Sequence, residues 1–218
     1  SAMIVQKESV EDVIARCNRM HTKVVLGGPY ANSNQEDIQG VDHFVLGEVE
    51  ETLHAFLSDL ENGTAKYVYP LPARPDISKA PTPRFDLLKM DAYGSMAVQY
   101  SRGCPFHCEF CDIWTVYGNK PRLKSADAMI AEMDALYRQG WRGGVFLVDD
   151  NFIGNKKRVK EELLPALKAW QAERRHPFHF FTEASINMAE DEDLLIGMRE
   201  AGFNEVFIGI ETPDEEGL

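Results

Sequence analysis

The chain has 218 residues, and 44% of them are hydrophobic, which is enough to form a buried core. Its formal net charge of −12 argues against a nucleic-acid surface, and no run of 18 apolar residues predicts a membrane span. Clustered thiols without a visible signal peptide predict a reducing, cytoplasmic setting. Ser1-Ala2 before Met3 resembles a protease-cleavage scar, and the chain stops just after a strong strand pattern. We therefore expect a fragment of a longer protein.

Residues 1–63 alternate helices with strands. A helix is predicted over residues 9–20, strands over Lys23–Leu26 and His43–Leu46, and a second helix over roughly 49–61. Glycine residues follow both strands. This order is typical of part of a doubly wound α/β domain.

Residues 64–94 are rich in proline. Proline removes backbone donors and disfavours helix, so this stretch is predicted to be an extended linker between two domains. The prolines within it are Pro70, Pro72, Pro75, Pro81 and Pro83.

Residues 95–218 repeat a strand-then-helix pattern four times. Short connections between successive units predict a parallel sheet that is buried on both faces. The predicted strands are Met96–Tyr100, Gly144–Val148, Phe178–Thr182 and Val206–Ile208, and the predicted helices are 126–138, 156–173 and 190–201.

Polar clusters follow each of these four strands. The carboxyl ends of parallel strands meet at one edge, and in barrel-like α/β folds catalytic residues gather there. The clusters are a cysteine loop, then Asp149-Asp150-Asn151, then Glu183 with Ser185, and finally Glu211. The sequence thus predicts one functional site at this edge.

Three thiols lie within the first cluster, Cys104, Cys108 and Cys111, separated by three and then two residues. They cannot all pair as disulfides, and soft thiolates select iron–sulfur clusters, zinc or monovalent copper. The fourth cysteine, Cys17, lies far upstream and is interpreted as a small buried apolar residue. Three ligands indicate a four-iron cluster with one iron open to a small molecule.

A zinc site is the alternative, because His107 lies between the cysteines and a Cys3His set would satisfy tetrahedral zinc. Structural zinc ligands usually come as two separated pairs, and no second pair occurs in the sequence. On this alternative the chain would be a zinc-stabilised α/β interaction module without catalysis.

The cysteine spacing, with Phe110 just before the last cysteine, resembles the signature of the radical S-adenosylmethionine (SAM) enzymes. The resemblance implies a 4Fe–4S cluster whose open iron chelates the amino and carboxylate groups of SAM. Reductive cleavage of SAM then produces a 5′-deoxyadenosyl radical that acts on an unactivated carbon. It also implies a small-molecule substrate, and an electron donor of the flavodoxin or ferredoxin type.

The same resemblance implies roles for the later polar clusters. Many members carry Gly-Gly-Glu near the amino group of SAM where this chain has Asp149, Asp150 and Asn151. One aspartate could accept from the ammonium group, or it could cap the following turn. Glu183 and Ser185 are expected near the ribose or carboxylate of SAM. Glu211 could reach the same pocket or could lie at a helix N-terminus.

Two stretches before the linker resemble the second half of the cobalamin-binding domain that precedes many radical SAM domains. They are Val-Leu-Gly-Gly-Pro at 25–29 and Val-Leu-Gly-Glu-Val-Glu-Glu-Thr-Leu at 45–53. The Asp-x-His-x-x-Gly motif of such domains is absent, and its usual position lies upstream of Ser1. Cobalamin is therefore expected only in the full-length protein, where the resemblance implies methylation or oxidative cyclisation.

The resemblance also implies a partial (β/α) barrel that is truncated in this chain. A radical SAM core resembles a six-stranded partial barrel, and four strands are predicted here. The fourth, Glu205–Ile210, would then lie at an open edge, and exposed apolar edges pair with other chains. We expect the fragment to self-associate through residues 203–212 and to lack turnover.

Overall fold

The computed structural model describes residues 1–70 and 73–210. The chain divides into two compact units, Ser1–Asp76 and Ile77–Leu218. Glu211, one of the predicted site residues, lies outside the described residues. Each unit is built on its own parallel sheet.

The first unit has a three-stranded parallel sheet in the order β1-β2-β3. Its helices are α1 (Lys7–Arg19), α2 (Pro29–Asn34) and α3 (Leu53–Glu61), and its strands are β1 (Val25–Gly27), β2 (His43–Val45) and β3 (Val68–Tyr69). Leu26, Tyr30 and Phe44 are buried in its main core. The predicted alternation of helix and strand is present.

The predicted linker, residues 64–94, is corrected by the structure because it is shared between the units. Its start contains β3, which pairs with β2, and the units separate after Asp76. Tyr69 holds β3 in place: its ring packs edge-on against Phe56, and its hydroxyl donates to Asp59 at 2.7 Å. The packing and hydrogen bond of Tyr69 therefore stabilise a strand even though prolines lie nearby.

The second unit is organised around a four-stranded parallel sheet in the order β4-β7-β8-β9. The α/β class and the parallel sheet are as predicted. In chain order its strands are β4 (Met96–Val98), β5 (Ser101–Arg102), β6 (Arg122–Leu123), β7 (Gly144–Leu147), β8 (His179–Glu183) and β9 (Phe203–Phe207). Its helices are α4 (Ile113–Val116), α5 (Ala126–Arg138), α6 (Lys156–Arg158), α7 (Leu164–Glu173) and α8 (Glu192–Ala201).

A single π-helical stretch, Val159–Leu163, joins α6 to α7 where one continuous helix was predicted. Pro165 stands in the first turn of α7. Proline has no N–H, and its ring clashes with the carbonyl one turn earlier. The wider turn ahead of Pro165 is a known way for a helix to absorb such a defect.

One face of the four-stranded sheet is packed under the helices. Val145, Leu147 and Phe180 from the strands are fully buried there. From the helices, the fully or almost fully buried side chains include Met129, Met133, Leu136, Leu163, Leu167, Leu194 and Met198.

The opposite face is open among the described residues, which corrects the prediction of burial on both faces. Phe146 and Phe181 stack there with ring centroids 4.9 Å apart and planes 2° from parallel. They line a cleft of about 480 Å³ together with Glu183, Glu205 and Phe207. Strand apolarity alone does not distinguish a helix-covered face from a face lining a cavity.

Strand β9 forms one edge of this sheet. It pairs with β8, and no other described strand pairs with its outer side. Phe207 is 70% exposed. The predicted open edge is therefore present, while self-association through it stays a prediction.

Candidate functional site

The cysteine loop is closed at its base by a short antiparallel hairpin that the sequence patterns did not indicate. Ser101 pairs with Leu123 and Arg102 with Arg122 in β5 and β6. The N–H of Cys104 then donates to the carbonyl of Gly118 at 3.2 Å. All three clustered thiols therefore lie on one closed loop between β5 and β6, near the carboxyl end of β4.

Gly103 lets the chain enter this loop. Its φ of +96° lies in the region that side chains rarely adopt, and an added Cβ would lie 2.7 Å from the carbonyl oxygen of Gly118. Both the backbone conformation and the close approach of the Gly118 backbone require glycine. This requirement was not recognised in the sequence, although a glycine directly before the first cysteine is a signal for it.

The three thiols are all free. Cys104 and Cys111 are half-buried, and Cys108 is exposed. The N–H of Cys111 donates to the carbonyl of Cys108 at 3.1 Å, which forms a tight turn between the last two cysteines. Cys17 lies in α1 of the other unit and is not part of this loop.

The three thiols of the loop are not grouped around one point among the described residues. Tetrahedral zinc at about 2.3 Å from each sulfur holds its sulfurs roughly 3.8 Å apart. Across residues 1–70 and 73–210, no three His, Cys, Asp or Glu side chains are grouped to hold one metal ion. The ring of His107 instead contacts Asn119 at 3.2 Å and Trp114 at a centroid distance of 5.3 Å. Binding of a 4Fe–4S cluster by these thiols, and the alternative of a zinc ion, both stay predictions.

Asp149, at the end of β7, is buried and bonded to the backbone that enters the cysteine loop. It is 1% exposed, and its carboxylate accepts from the N–H of Tyr100 at 3.3 Å and from the N–H of Ser101. Burial raises the pKa of Asp149 to about 7, although these hydrogen bonds oppose the shift. In this geometry Asp149 holds the end of β4 against β7.

Asp150 makes the next connection along the same backbone. Its Oδ2 accepts from the N–H of Gly103 at 2.7 Å. Two successive aspartates thus bind three of the four backbone N–H groups of residues 100–103. Contact between either aspartate and SAM stays a prediction.

Asn151 brings two of the predicted clusters together. It is 3% exposed, and its Nδ2 lies 3.8 Å from the Sγ of Cys104 and 3.0 Å from the Oγ of Ser185. Its Oδ1 accepts from the N–H of Ser185 at 3.4 Å. The first cysteine, the end of β7 and the end of β8 are therefore joined through one amide.

Glu183, the last residue of β8, and Ser185, two residues beyond it, lie in different surroundings. The hydroxyl of Ser185 donates to Oδ1 of Asn187 at 2.7 Å, which extends the polar network. The side chain of Glu183 is exposed and lines the open cleft with Phe146 and Phe181. Asn187 and the two phenylalanines were missed as site residues. The alternation of side chains along a strand could have placed Phe181 and Glu183 on one face.

The fold and the loop define an α/β protein whose polar site lies at the carboxyl ends of parallel strands. Residues 98–218 match the family model described as the Radical SAM superfamily. The chain belongs to the radical SAM superfamily, as its cysteine spacing predicted.

Several curated relatives are methyltransferases. The chain is 49% identical over its whole length to an uncharacterized methyltransferase of Synechocystis, and it covers 41% of that protein. It is 36% identical over its whole length to the hopanoid C-2 methylase of Rhodopseudomonas palustris, of which it covers 42%. The bacteriochlorophyllide d C-8(2)-methyltransferase of Chlorobaculum tepidum is 27% identical over 89% of the chain, which covers 45% of it. The chain thus spans about two fifths of the length of these relatives.

Solved structures show the same fold over nearly all of the chain. The radical S-adenosylmethionine methyltransferase TsrM from Kitasatospora setae, with tryptophan and a SAM analogue bound, matches with a TM-score of 0.80 at 15% identity. That match covers 97% of this chain and 46% of TsrM. The cobalamin-dependent enzyme OxsB, with aqua-cobalamin bound, matches with a TM-score of 0.76 at 18% identity, covering 98% of this chain and 35% of OxsB. These likenesses confirm the α/β fold of the partial-barrel type.

Among the described residues, no helix is both long and apolar enough to span a bilayer.

Proposed function

We propose that the chain is the cluster- and SAM-binding part of a radical SAM methyltransferase. One observation carries the proposal: three free thiols lie on a single closed loop, at the edge of a parallel sheet where further polar side chains converge. A loop closed by a hairpin and by two aspartates holds its thiols in place before any cofactor binds.

Cys104, Cys108 and Cys111 are the proposed ligands of a 4Fe–4S cluster. Each thiolate would bind one iron and leave the fourth open for the amino and carboxylate groups of SAM. When bound, the cluster supplies the electron that cleaves the sulfonium of SAM. Phe106 and Phe110 on the same loop are exposed side chains that would limit water access around the thiolates once the site is covered.

The proposed SAM contacts are Asp150, Asn151, Glu183, Ser185 and Glu211. Asp149 is the weaker candidate of the two aspartates, because its carboxylate is buried and already accepts from two backbone N–H groups. Glu183 presents an exposed carboxylate to the open cleft, where it can accept from ribose hydroxyls.

Methyl transfer to a small molecule is the proposed reaction, rather than oxidative cyclisation. The names of the relatives support this choice, since they are methyltransferases and methylases. Cobalamin is proposed for the full-length protein, in a domain completed by the α/β unit of residues 1–76. A flavodoxin or ferredoxin type of protein is the proposed electron donor.

Anaerobic reconstitution with iron and sulfide tests the proposal. The wild-type chain should bind about four irons and four sulfides and should develop visible absorbance. Cys104→Ala, Cys108→Ala and Cys111→Ala should each abolish the absorbance, whereas Cys17→Ala, a cysteine of the other unit, should retain it. Stoichiometric zinc in place of iron and sulfide would support the non-catalytic interaction module instead.

A further inference from the structure

We infer that Asn151 is a positioning residue that donates a hydrogen bond to the Cys104 thiolate and thereby raises the reduction potential of the cluster. The inference rests on the proposed function, because it requires Cys104 to be a cluster ligand. It gives Asn151 a role toward the sulfur, separate from the SAM contact that the family resemblance implied. The observation that carries it is a buried amide nitrogen 3.8 Å from Sγ of Cys104.

The orientation of the amide is set by Ser185. Oδ1 of Asn151 accepts from the N–H of Ser185 at 3.4 Å, and a backbone N–H can only donate. The oxygen therefore faces Ser185 N, and the nitrogen is left to donate to Ser185 Oγ at 3.0 Å and to Cys104. Reversing the amide would place an NH2 group against a backbone N–H, so the network fixes the donor toward the sulfur.

The position of the thiol is also fixed by the backbone. Asp149 binds the N–H groups of Tyr100 and Ser101, and Asp150 binds the N–H of Gly103. Both aspartates directly precede Asn151 at the end of β7. The pairing of β4 with β7 and these three hydrogen bonds therefore hold the backbone before Cys104 close to Asn151.

A donor at this place acts on the redox equilibrium. Reduction adds one electron from an external low-potential donor and makes the cluster and its thiolates more negative, with no bond in the protein formed or broken. A hydrogen bond to a ligand sulfur stabilises that extra charge, so it raises the potential. A hydrogen bond stabilises the thiolate in both charge states of the cluster, and only the difference between the two states changes the potential. We expect about a tenfold change in the reduction equilibrium, which is about 59 mV for one electron.

The experiment compares cluster midpoint potentials in the reconstituted 218-residue chain without SAM. Dithionite titrations are followed by electron paramagnetic resonance. Asn151→Ala removes the donor and should make the potential more negative by about 59 mV. Asn151→Asp also adds a negative charge and should shift it further. Asn155, which caps α6 on the same segment, supplies the matched controls, and Asn155→Ala and Asn155→Asp should shift it much less.

Ser185→Ala separates the inference from a purely structural role, because it removes the Asn151–Ser185 Oγ bond and leaves the thiol untouched. An unchanged potential in the loaded Asn151→Ala chain would overturn the inference, as would an equal shift in Ser185→Ala. If Asn151 variants lose the cluster while their melting temperature and the Ser185→Ala cluster are normal, Asn151 is needed for cluster binding and the inference about the potential is overturned. A melting temperature lowered equally in both would overturn it. Failure of the wild-type chain to take up iron and sulfide would instead refute the proposed function.

Discussion

Gly103→Ala should destabilise the protein more than the same substitution at Gly140, a glycine with a similar positive φ outside the cysteine loop. Gly103 has φ of +96°, and Gly140, just after α5, has φ of +86°. At either position a Cβ in left-handed backbone costs about 1–2 kcal/mol. At Gly140 nothing lies within 4 Å of the added Cβ, so Gly140→Ala carries this term alone.

Gly103 carries a second cost because the added Cβ would lie 2.7 Å from the carbonyl oxygen of Gly118 and 3.2 Å from that of Tyr117. These atoms are backbone and cannot rotate away, and moving Gly118 breaks its hydrogen bond from Cys104. Overpacking costs typically about 1–3 kcal/mol. We therefore expect a loss of about 2–5 kcal/mol for Gly103→Ala against about 1–2 kcal/mol for Gly140→Ala.

Urea unfolding and thermal melting of the cluster-free chain would measure this difference. One kcal/mol corresponds to about 2–4 °C for a protein of this length. After reconstitution, Gly140→Ala should retain the wild-type iron content, and Gly103→Ala should lose most of it. Equal stability and equal iron content in the two variants would refute the claim that the Gly103–Gly118 approach closes the loop.

Three further predictions concern other parts of the second unit. The pKa of Asp149, raised in the fold from 3.8 to about 7, means that its protonated form favours folding. The stabilisation from protonated Asp149 should therefore be present below pH 4 and be lost as pH rises to about 7. In urea unfolding from pH 4 to 8, Asp149→Asn should make the free energy of unfolding depend less on pH. Lys124 and Glu132 form an ion pair that is 7% and 2% exposed, so Lys124→Met should cost about 3–5 kcal/mol, while adding Glu132→Leu should recover most of that loss. Phe207→Lys at the edge of β9 should reduce concentration-dependent association in analytical ultracentrifugation, and unchanged association would locate the contact elsewhere.

Local patterns were sufficient for the α/β class and for most elements. The four predicted strands and the helices over 126–138 and 190–201 recur with ends shifted by a few residues, because apolar periodicity and short connections are properties of neighbouring residues. The predicted helix over 126–138 matches α5, Ala126–Arg138, which Ser125 caps through the N–H of Ala128. The cysteine spacing was also sufficient for the family, since it lies within eight residues.

Elements that depend on distant partners were not predicted. Strand β3 forms in a proline-rich stretch because Tyr69 packs against Phe56, and the β5–β6 hairpin forms because residues on both sides of the cysteine loop pair. None of these three short strands has a hydrophobic period of its own. Two-residue strands are stabilised by their contacts with residues that are distant in the sequence.

The sequence by itself determined which side chains would gather at the carboxyl edge of the sheet, because parallel strands bring their ends together. Only the tertiary structure decided what each side chain does there. Asn151 reaches Cys104 across 47 residues, and Asp149 turns to backbone N–H groups 48 and 49 residues away. Such contacts depend on the register of β4 with β7, and a one-residue shift in register would send every side chain to the opposite face.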